Sequence, residues 1–132
     1  MTDAEQIRLD PDPLEPYYLS QGFRVGDLLI VSGQAALDEH GAIVGVGDFD
    51  AQAEQTFRNL ARVLEEGGAS LDRVVKVTIF LTDMGNFPKI VELRKRWFSA
   101  PYPADTIVEV RSLALPELEI EIEAIAVAHD GG

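Results

Sequence analysis

The sequence predicts an α+β fold in which two helices pack on one face of a β-sheet. Three observations indicate it: strand-like alternation of apolar and polar residues at both ends of the chain, two stretches with apolar residues at helical spacing, and a further strand between those stretches. The chain has 132 residues, the size of one ordinary domain, and we expect a single domain spanning 1–132.

The first third of the chain is predicted to be β-structure behind an extended arm. Residues 1–16 contain three prolines and form the arm, with a short strand near 7–9. Two strands at 18–24 and 28–32 follow, and the short glycine-containing segment between them predicts a hairpin. A turn then leads into a short strand at 43–44.

The middle of the chain predicts two helices separated by a strand. The first helix has Asp50 as its N-cap and ends at the glycine pair at 67–68. In the strand at 75–81, apolar residues recur at every second position. The second helix begins at Asn86, has Pro88 in its first turn and ends before the prolines that follow. The apolar residues that we expect these helices to bury are Ala53, Phe57, Leu60, Val63, Leu64, Ile90, Val91, Leu93, Trp97 and Phe98.

The last third predicts two strands, at 103–110 and 119–127. This order of elements requires some parallel pairing, because helices link successive strands, and it puts both helices on one face of the sheet. In the last strand, isoleucines face the core while Glu119, Glu121 and Glu123 share the opposite face. We expect this row of carboxylates to be solvated, paired or functional, since charged side chains are almost never buried without a partner.

Charge excludes one class of partner. The chain has 23 acidic and 11 basic residues and a net charge of −12. A nucleic-acid-binding surface must instead be basic, because it releases counterions from phosphates. We therefore expect no nucleic-acid partner, and we interpret the densest basic cluster, at 94–96, as the solvated side of a helix.

Composition narrows the chemistry further. The chain has no cysteine, which removes disulfides, thiol nucleophiles and thiolate metal ligands. Its histidines do not lie among carboxylates at a metal-binding spacing, and we expect no bound metal. No apolar run approaches the ~18 residues of a membrane span, and the acidic, polar N-terminus is unlike a signal peptide. These features predict a cytoplasmic protein without a membrane partner, and a flexible polar tail at 129–132.

Four motifs follow one another along the chain. They are YLSQG at 18–22, SGQ at 32–34, VKVTIFLTDM at 75–84 followed by Asn86 and Phe87, and the pair PADTIVEV and EIEIEAIAV at 103–110 and 119–127. In this order they resemble the YjgF/RidA family of reactive intermediate deaminases, also described as L-PSP endoribonucleases. The resemblance implies a chorismate-mutase-like fold without a cofactor, assembled as a homotrimer with small-molecule sites in the clefts between subunits.

The resemblance also implies site residues by matching position. Glu121 corresponds to a glutamate thought to position the water that attacks an imine carbon. Hydrolysis of a C=N bond needs a base for the water proton and an acid for the leaving nitrogen, and one partly desolvated carboxyl can serve as both in turn. Gly33 and Ile107 match positions whose backbone groups face the ligand. Phe87 matches an aromatic wall, and Ser32 lies beside Gly33 at the cleft.

Three departures from the family pattern fall where the ligand would lie. Asp105 replaces an arginine that would clamp a substrate carboxylate, which indicates an arginine-lacking subgroup. Leu19 stands in the register of a tyrosine, although Tyr17 and Tyr18 precede it and a small shift would restore an aromatic residue. Val91 takes the place of a polar asparagine.

Two hypotheses about function remain open. In the first, the chain is a hydrolase of the enamine or imine deaminase type, acting on a substrate that is not held through a carboxylate at position 105. We then expect weak or no activity on 2-imino acids, because Asp105 would repel their carboxylate. In the second, the chain is a non-catalytic trimer that binds a metabolite or a protein partner. The presence of Glu121 favours the first hypothesis, and the three departures favour the second.

Overall fold

Both long helices lie on one face of a six-stranded sheet in a computed structural model that describes residues 3–129. The elements are β1 (Ala4–Ile7), β2 (Gly22–Val25), β3 (Leu28–Gln34), α1 (Phe49–Glu66), β4 (Val74–Leu81), α2 (Phe87–Trp97), β5 (Ala104–Glu109) and β6 (Ile120–Val127). Across the sheet the order is β1-β2-β3-β6-β4-β5. Strands β4 and β5 are parallel, and the other neighbouring pairs are antiparallel. The predicted α+β architecture with mixed pairing is confirmed.

The core lies between the sheet and the helices. Every second residue of the three central strands faces the helices and is almost completely buried: Leu29, Val31, Val77, Ile79, Leu81, Ile120, Ile122 and Ala124. The Phe57 ring of α1 stacks on Trp97 of α2 with 5.4 Å between ring centroids, so both helices share this side. Burial of these side chains fixes the strand register, because a slip of one residue would turn them all toward solvent.

The N-terminal strands have other bounds than the sequence predicts: β1 lies at Ala4–Ile7 rather than near 7–9, β2 is shorter than 18–24, and β3 extends beyond 32 to Gln34. The hairpin begins only at Gly22, because Glu15–Tyr17 form a 3₁₀ turn and Tyr18 has a positive φ of 59°, which interrupts an extended chain. The short strand expected at 43–44 is reduced to a single bridge between Leu37 and Ile43.

Both ends of the described part of the chain contact the rest of the fold. Strand β1 pairs with β2, and its last residue, Ile7, is buried in the core. At the other end, His129 donates its backbone N–H to the Gly68 carbonyl at 2.9 Å, and its ring lies 2.9 Å from Ser70 Oγ. Residues 1–2 of the predicted arm and 130–132 of the predicted tail lie outside the described residues.

The N-cap of α1 is Asp48, so the prediction of Asp50 is wrong. Asp48 has extended backbone angles, and its Oδ1 accepts the Ala51 N–H at 3.1 Å. The helix begins earlier because Phe49 is buried and extends the apolar stripe by one position. Asp50 lies in the first turn, where its carboxylate pairs with Lys89 at 3.2 Å.

The second helix begins where the sequence predicts. Asn86 occupies its N-cap position, although its side chain makes no capping hydrogen bond. Ile90 is buried, and Leu93 and Trp97 pack against the core, but Val91 is exposed rather than buried. None of the helices formed by residues 3–129 has the length and apolar character that a membrane crossing requires.

We predict that Asp48→Ala lowers the free energy of unfolding by about 1 kcal/mol, because the first turn of α1 loses a hydrogen-bond acceptor. Asp50→Ala is the matched control and should cost about half of that or less, since it removes an exposed ion pair. Urea unfolding measures both values. Equal losses would show that Asp48 is not the cap.

Candidate functional site

Glu121 lies in the middle of the sheet, on the face that the helices leave open. Strand β6 runs between β3 and β4, and its Ile120 and Ile122 face the helices, so Glu121 points the other way. Ile125, expected on the core face, instead lies on the open face, in register with Ile30. Phe80 of β4 is in register with it. Burial, and then the charge of Glu123, raise the pKa of the half-buried Glu121 carboxyl above its ordinary value of 4.5. A carboxyl shifted in this direction is better suited to accept and return a proton near neutral pH.

A bulge in β3 makes room for this carboxylate. The pairing of β3 with β6 shifts between Val31 and Gln34, and Gly33 lies within the shifted segment. A Cβ at Gly33 would lie 2.5 Å from Glu121 Oε2 and 2.7 Å from its Cδ. The Glu121 carboxylate therefore occupies the space that a side chain at position 33 would need.

A cavity of about 320 Å³ opens beside Glu121 and Gly33. It lies between the N-terminal segment, the chain that follows β3, the outer side of α1 and the loop before β6. Most of its wall is apolar and includes six leucines: Leu9, Leu14, Leu19, Leu37, Leu115 and Leu118. Leu19, a predicted site residue, is thus among the residues that line the cavity.

The aromatic residue that a register shift would have supplied is present as well. Tyr17 lines the cavity next to Leu19, while the intervening Tyr18 is 97% exposed because its left-handed backbone turns it outward. Ser32 is engaged elsewhere, since its hydroxyl donates to the Ser20 carbonyl and joins β3 to the N-terminal segment.

The predicted row of three glutamates on one face is wrong for Glu119. This residue precedes β6, and its carboxylate lies 3.5 Å from the Nε2 of Gln52, a fully buried residue of α1. Its backbone N–H also donates to Gln52 Oε1 at 2.9 Å. Glu119 thus turns toward the helices, which leaves Glu121 and Glu123 on the open face.

The remaining predicted site residues form a second group, at α2 and β5. Asp105 and Ile107 are in register with Val77 and Ile79, whose side chains face the helices, so both lie on that side of the sheet. Val91 and Asp105 line the same cleft. Phe87 lies at the start of α2.

Asp105 is paired with Arg94, a contact that we did not predict. Arg94 Nε lies 2.9 Å from Asp105 Oδ2, and the Arg94 guanidinium lies 5.7 Å from the Phe87 ring centroid. The Arg94 side chain is 26% exposed, whereas that of Arg96 is 60% exposed, so the interpretation of 94–96 as a solvated cluster is wrong for Arg94. Helical spacing could have indicated that Arg94 is partly buried, because it lies one turn after the buried Ile90 on the same side of α2.

The two groups do not meet within one chain. Glu121 and Asp105 are two strands apart, about 10 Å, and three residue steps apart along the strands, about another 10 Å. They also lie on opposite faces of the sheet. The structure therefore brings together Leu19, Gly33 and Glu121, and separately Phe87, Val91 and Asp105 with Ile107 nearby.

Within residues 3–129, no group of three or more histidines and carboxylates is arranged to hold a metal ion.

Comparisons with known proteins agree on one family. The family model described as endoribonuclease L-PSP matches residues 8–128. A RutC family protein of Pyrococcus abyssi is 40% identical over 116 residues, covering 88% of this chain and 89% of the relative. A protein of Dermatophagoides farinae named 2-iminobutanoate/2-iminopropanoate deaminase is 36% identical over 119 residues, covering 90% and 91%. The crystal structure of RidA from an Antarctic Psychrobacter superposes with a TM-score of 0.85 at 35% identity, covering 93% of this chain and 98% of that one.

We predict that Gly33→Ala changes the free energy of unfolding by less than about 0.5 kcal/mol, because the atoms that a Cβ would meet belong to the movable end of the Glu121 side chain. Gly22→Ala is the contrasting variant. Its Cβ would lie 2.5 Å from the Ile30 backbone oxygen, and we expect a loss of about 1–3 kcal/mol. If urea unfolding gives similar losses of unfolding free energy for both variants, glycine at position 33 is required by the surrounding backbone and not by the Glu121 carboxylate.

Proposed function

We propose that this chain, which belongs to the endoribonuclease L-PSP (YjgF/RidA) family, is a small-molecule hydrolase that cleaves the C=N bond of an imine or of an enamine in its imine form. The observation that carries the proposal is the Glu121 carboxyl, half-buried against Gly33 at a cavity, with a raised pKa. A similar protein bears the name of an imine deaminase, which supports the reaction class.

Glu121 positions the attacking water and moves its protons. The substrate nitrogen is protonated, so the carboxylate takes one proton as the water oxygen bonds to the iminium carbon and a neutral carbinolamine forms. The protonated carboxyl then returns that proton to nitrogen. As the C–N bond breaks and ammonia leaves, the carbinolamine hydroxyl gives its proton to the carboxylate, which leaves a carbonyl product and passes the proton on to ammonia or solvent. All three transfers use one group, and a raised pKa favours the steps in which the carboxyl holds a proton.

The site is completed between copies of the chain. Its two groups of residues lie on opposite faces of one sheet, and the open face carries exposed apolar side chains that no helix of residues 3–129 covers, among them Phe23, Leu28 and Ile30. We infer a homotrimer in which each cleft joins the Glu121 group of one chain to the Asp105 group of the next. A small-molecule ligand occupies these clefts.

The substrate is not held through a carboxylate at position 105. Asp105 is itself a carboxylate, and its partner is Arg94 of the same chain. Nucleic acid is not the proposed substrate, despite the name of the family, because a net charge of −12 opposes the approach of phosphates.

The alternative is a non-catalytic trimer that binds a metabolite or a protein partner. The apolar wall of the cavity favours it, because such a wall holds a ligand without any chemistry at Glu121.

We predict three times the monomer mass by light scattering at micromolar concentration in dilute buffer. A second copy would cover the apolar side chains of the open face and so bury them. A monomer mass would contradict both the assembly and the shared cleft.

We predict that Glu121→Gln lowers kcat/KM by about 10²–10⁴, because glutamine keeps the shape but cannot accept a proton. Imines released in situ by an oxidase provide the substrate, and semicarbazone formation measures what survives. The unmodified chain should lose activity as the pH falls through the Glu121 pKa, above 4.5, since the protonated carboxyl is not a base.

Glu123→Gln is the matched control. It should retain turnover and move this acidic limb to lower pH, because the charge of Glu123 contributes to the raised pKa of Glu121. If Glu119→Gln and Glu123→Gln lose as much activity as Glu121→Gln, the three carboxylates act only through their summed charge.

A further inference from the structure

We propose that Arg94 and Asp105 together bind a carboxamide group of the substrate. The amide oxygen accepts a hydrogen bond from the Arg94 guanidinium, and the amide N–H donates to the second carboxylate oxygen of Asp105. The inference rests on the proposed function, in which the Asp105 group of one chain meets Glu121 of the next. It names the substrate class as imines or enamines that carry a carboxamide where a 2-imino acid carries a carboxylate.

Two contacts hold the Arg94 guanidinium in the cleft between α2 and β5. Its Nε donates to Asp105 Oδ2 at 2.9 Å, and its central carbon lies 5.7 Å from the centroid of the Phe87 ring. A side chain that is already held in this way loses less conformational freedom when a ligand binds. Arg94 is therefore preorganised for a ligand.

The ion pair uses only part of the hydrogen-bonding capacity of each partner. Within residues 3–129, neither terminal nitrogen of Arg94 donates a hydrogen bond, and Asp105 Oδ1 accepts none. Both side chains line the same cleft. The pair therefore presents free donors beside a free acceptor, which is the complement of the carbonyl oxygen and NH₂ group of a primary carboxamide.

The charge of the pair disfavours a carboxylate in the same place. Arg94 attracts an anion in the cleft and Asp105 repels it, so the two effects largely cancel. A neutral carboxamide meets no repulsion and forms hydrogen bonds to two charged groups, which are stronger than those between neutral groups. Lys95 is the other cation among the described residues that line this cleft, but its side chain is 66% exposed and pairs with Glu92. Solvent therefore weakens its effect on a ligand.

Apolar side chains complete the cleft. Val91, Phe98 and Tyr102 line it together with the ion pair. Val91 and Tyr102 are exposed, so a short alkyl group beside the carboxamide would cover apolar surface there.

The test is calorimetry with 2-oxobutanamide and 2-oxobutanoate, which are the hydrolysis products of the imines of 2-aminobutanamide and 2-aminobutanoate. The two ligands differ only in the group at their first carbon. We expect the unmodified chain to bind the amide about tenfold more tightly than the acid, or better. Equal binding, tighter binding of the acid, or no binding of either ligand overturns the proposal.

Asp105→Asn is the most informative variant, because it removes the negative charge and keeps the shape of the side chain. Arg94 then remains as a cation without its anionic partner, so binding of the acid should strengthen about tenfold or more and match or exceed that of the amide. Damage to the fold does not produce a gain of this kind. Unchanged binding of the acid would overturn the proposal, because Asp105 would then not face the ligand.

Arg94→Met should weaken binding of the amide about tenfold or more, because the amide oxygen loses its donor. Lys95→Met is the matched control, since it removes the neighbouring cation of the same cleft, and it should change binding of the amide by less than about twofold. If both variants weaken binding equally, the cleft acts only through its summed charge and the proposal fails.

Failure of the proposed function gives a different result, because calorimetry requires no turnover. A chain that hydrolyses no imine but prefers the amide retains this site without the activity. A chain that hydrolyses imines released by an oxidase, but binds the amide and the acid equally, has the activity without this site.

Discussion

The position of β6 at the centre of the sheet is the constraint on which the site depends. Ile120 and Ile122 are completely buried against the helices. Because successive side chains of a strand point to opposite faces, Glu121 must point to the open face. A slip of one residue would bury glutamates and expose isoleucines, which the core does not tolerate. The orientation of the candidate catalytic carboxyl is therefore set by hydrophobic packing on the other side of the same strand. Gly33 adds a second feature, because the Glu121 carboxylate occupies the space that a side chain at position 33 would fill, and an alanine there would require the carboxylate to move.

The ion pair with Arg94 changes the electrostatic effect that Asp105 has on a ligand. An unpaired aspartate in a cleft would repel any anionic ligand, but Arg94 neutralises it and the pair links α2 to the edge strand β5. The contact is partly shielded from solvent, which makes it more than a surface ion pair. Asp105 thus has a structural role in this chain.

Much of the fold could be predicted from the sequence because it depends on local periodicity. The strands β4 and β6 and both helices follow from the spacing of apolar residues, and the open-face position of Glu121 follows from the same rule. Glu119 could not be placed in this way, since alternation applies only within a strand and Glu119 precedes one. The cap at Asp48 depended on the burial of Phe49, which local propensity does not reveal.

The site was less predictable because it depends on contacts between distant segments. Arg94 meets Asp105 across a gap of 11 residues, and Arg62 reaches the Glu121 cavity only because α1 packs beside the chain that follows β3. Tyr17 and Leu19 both line that cavity because of one left-handed residue between them. Such a backbone conformation is uncommon for tyrosine, and no residue pattern indicates it.

The central claim is that Glu121 is a partly desolvated carboxyl held on the open face. The most direct test is a ¹³C NMR titration of the chain labelled at the glutamate side-chain carboxyls, with the Glu121 signal assigned by its loss in Glu121→Gln. We predict that this carboxyl titrates above its ordinary value of 4.5. A midpoint at or below 4.5 would contradict the claim, because it would show that Glu121 is fully hydrated or held by a positive charge.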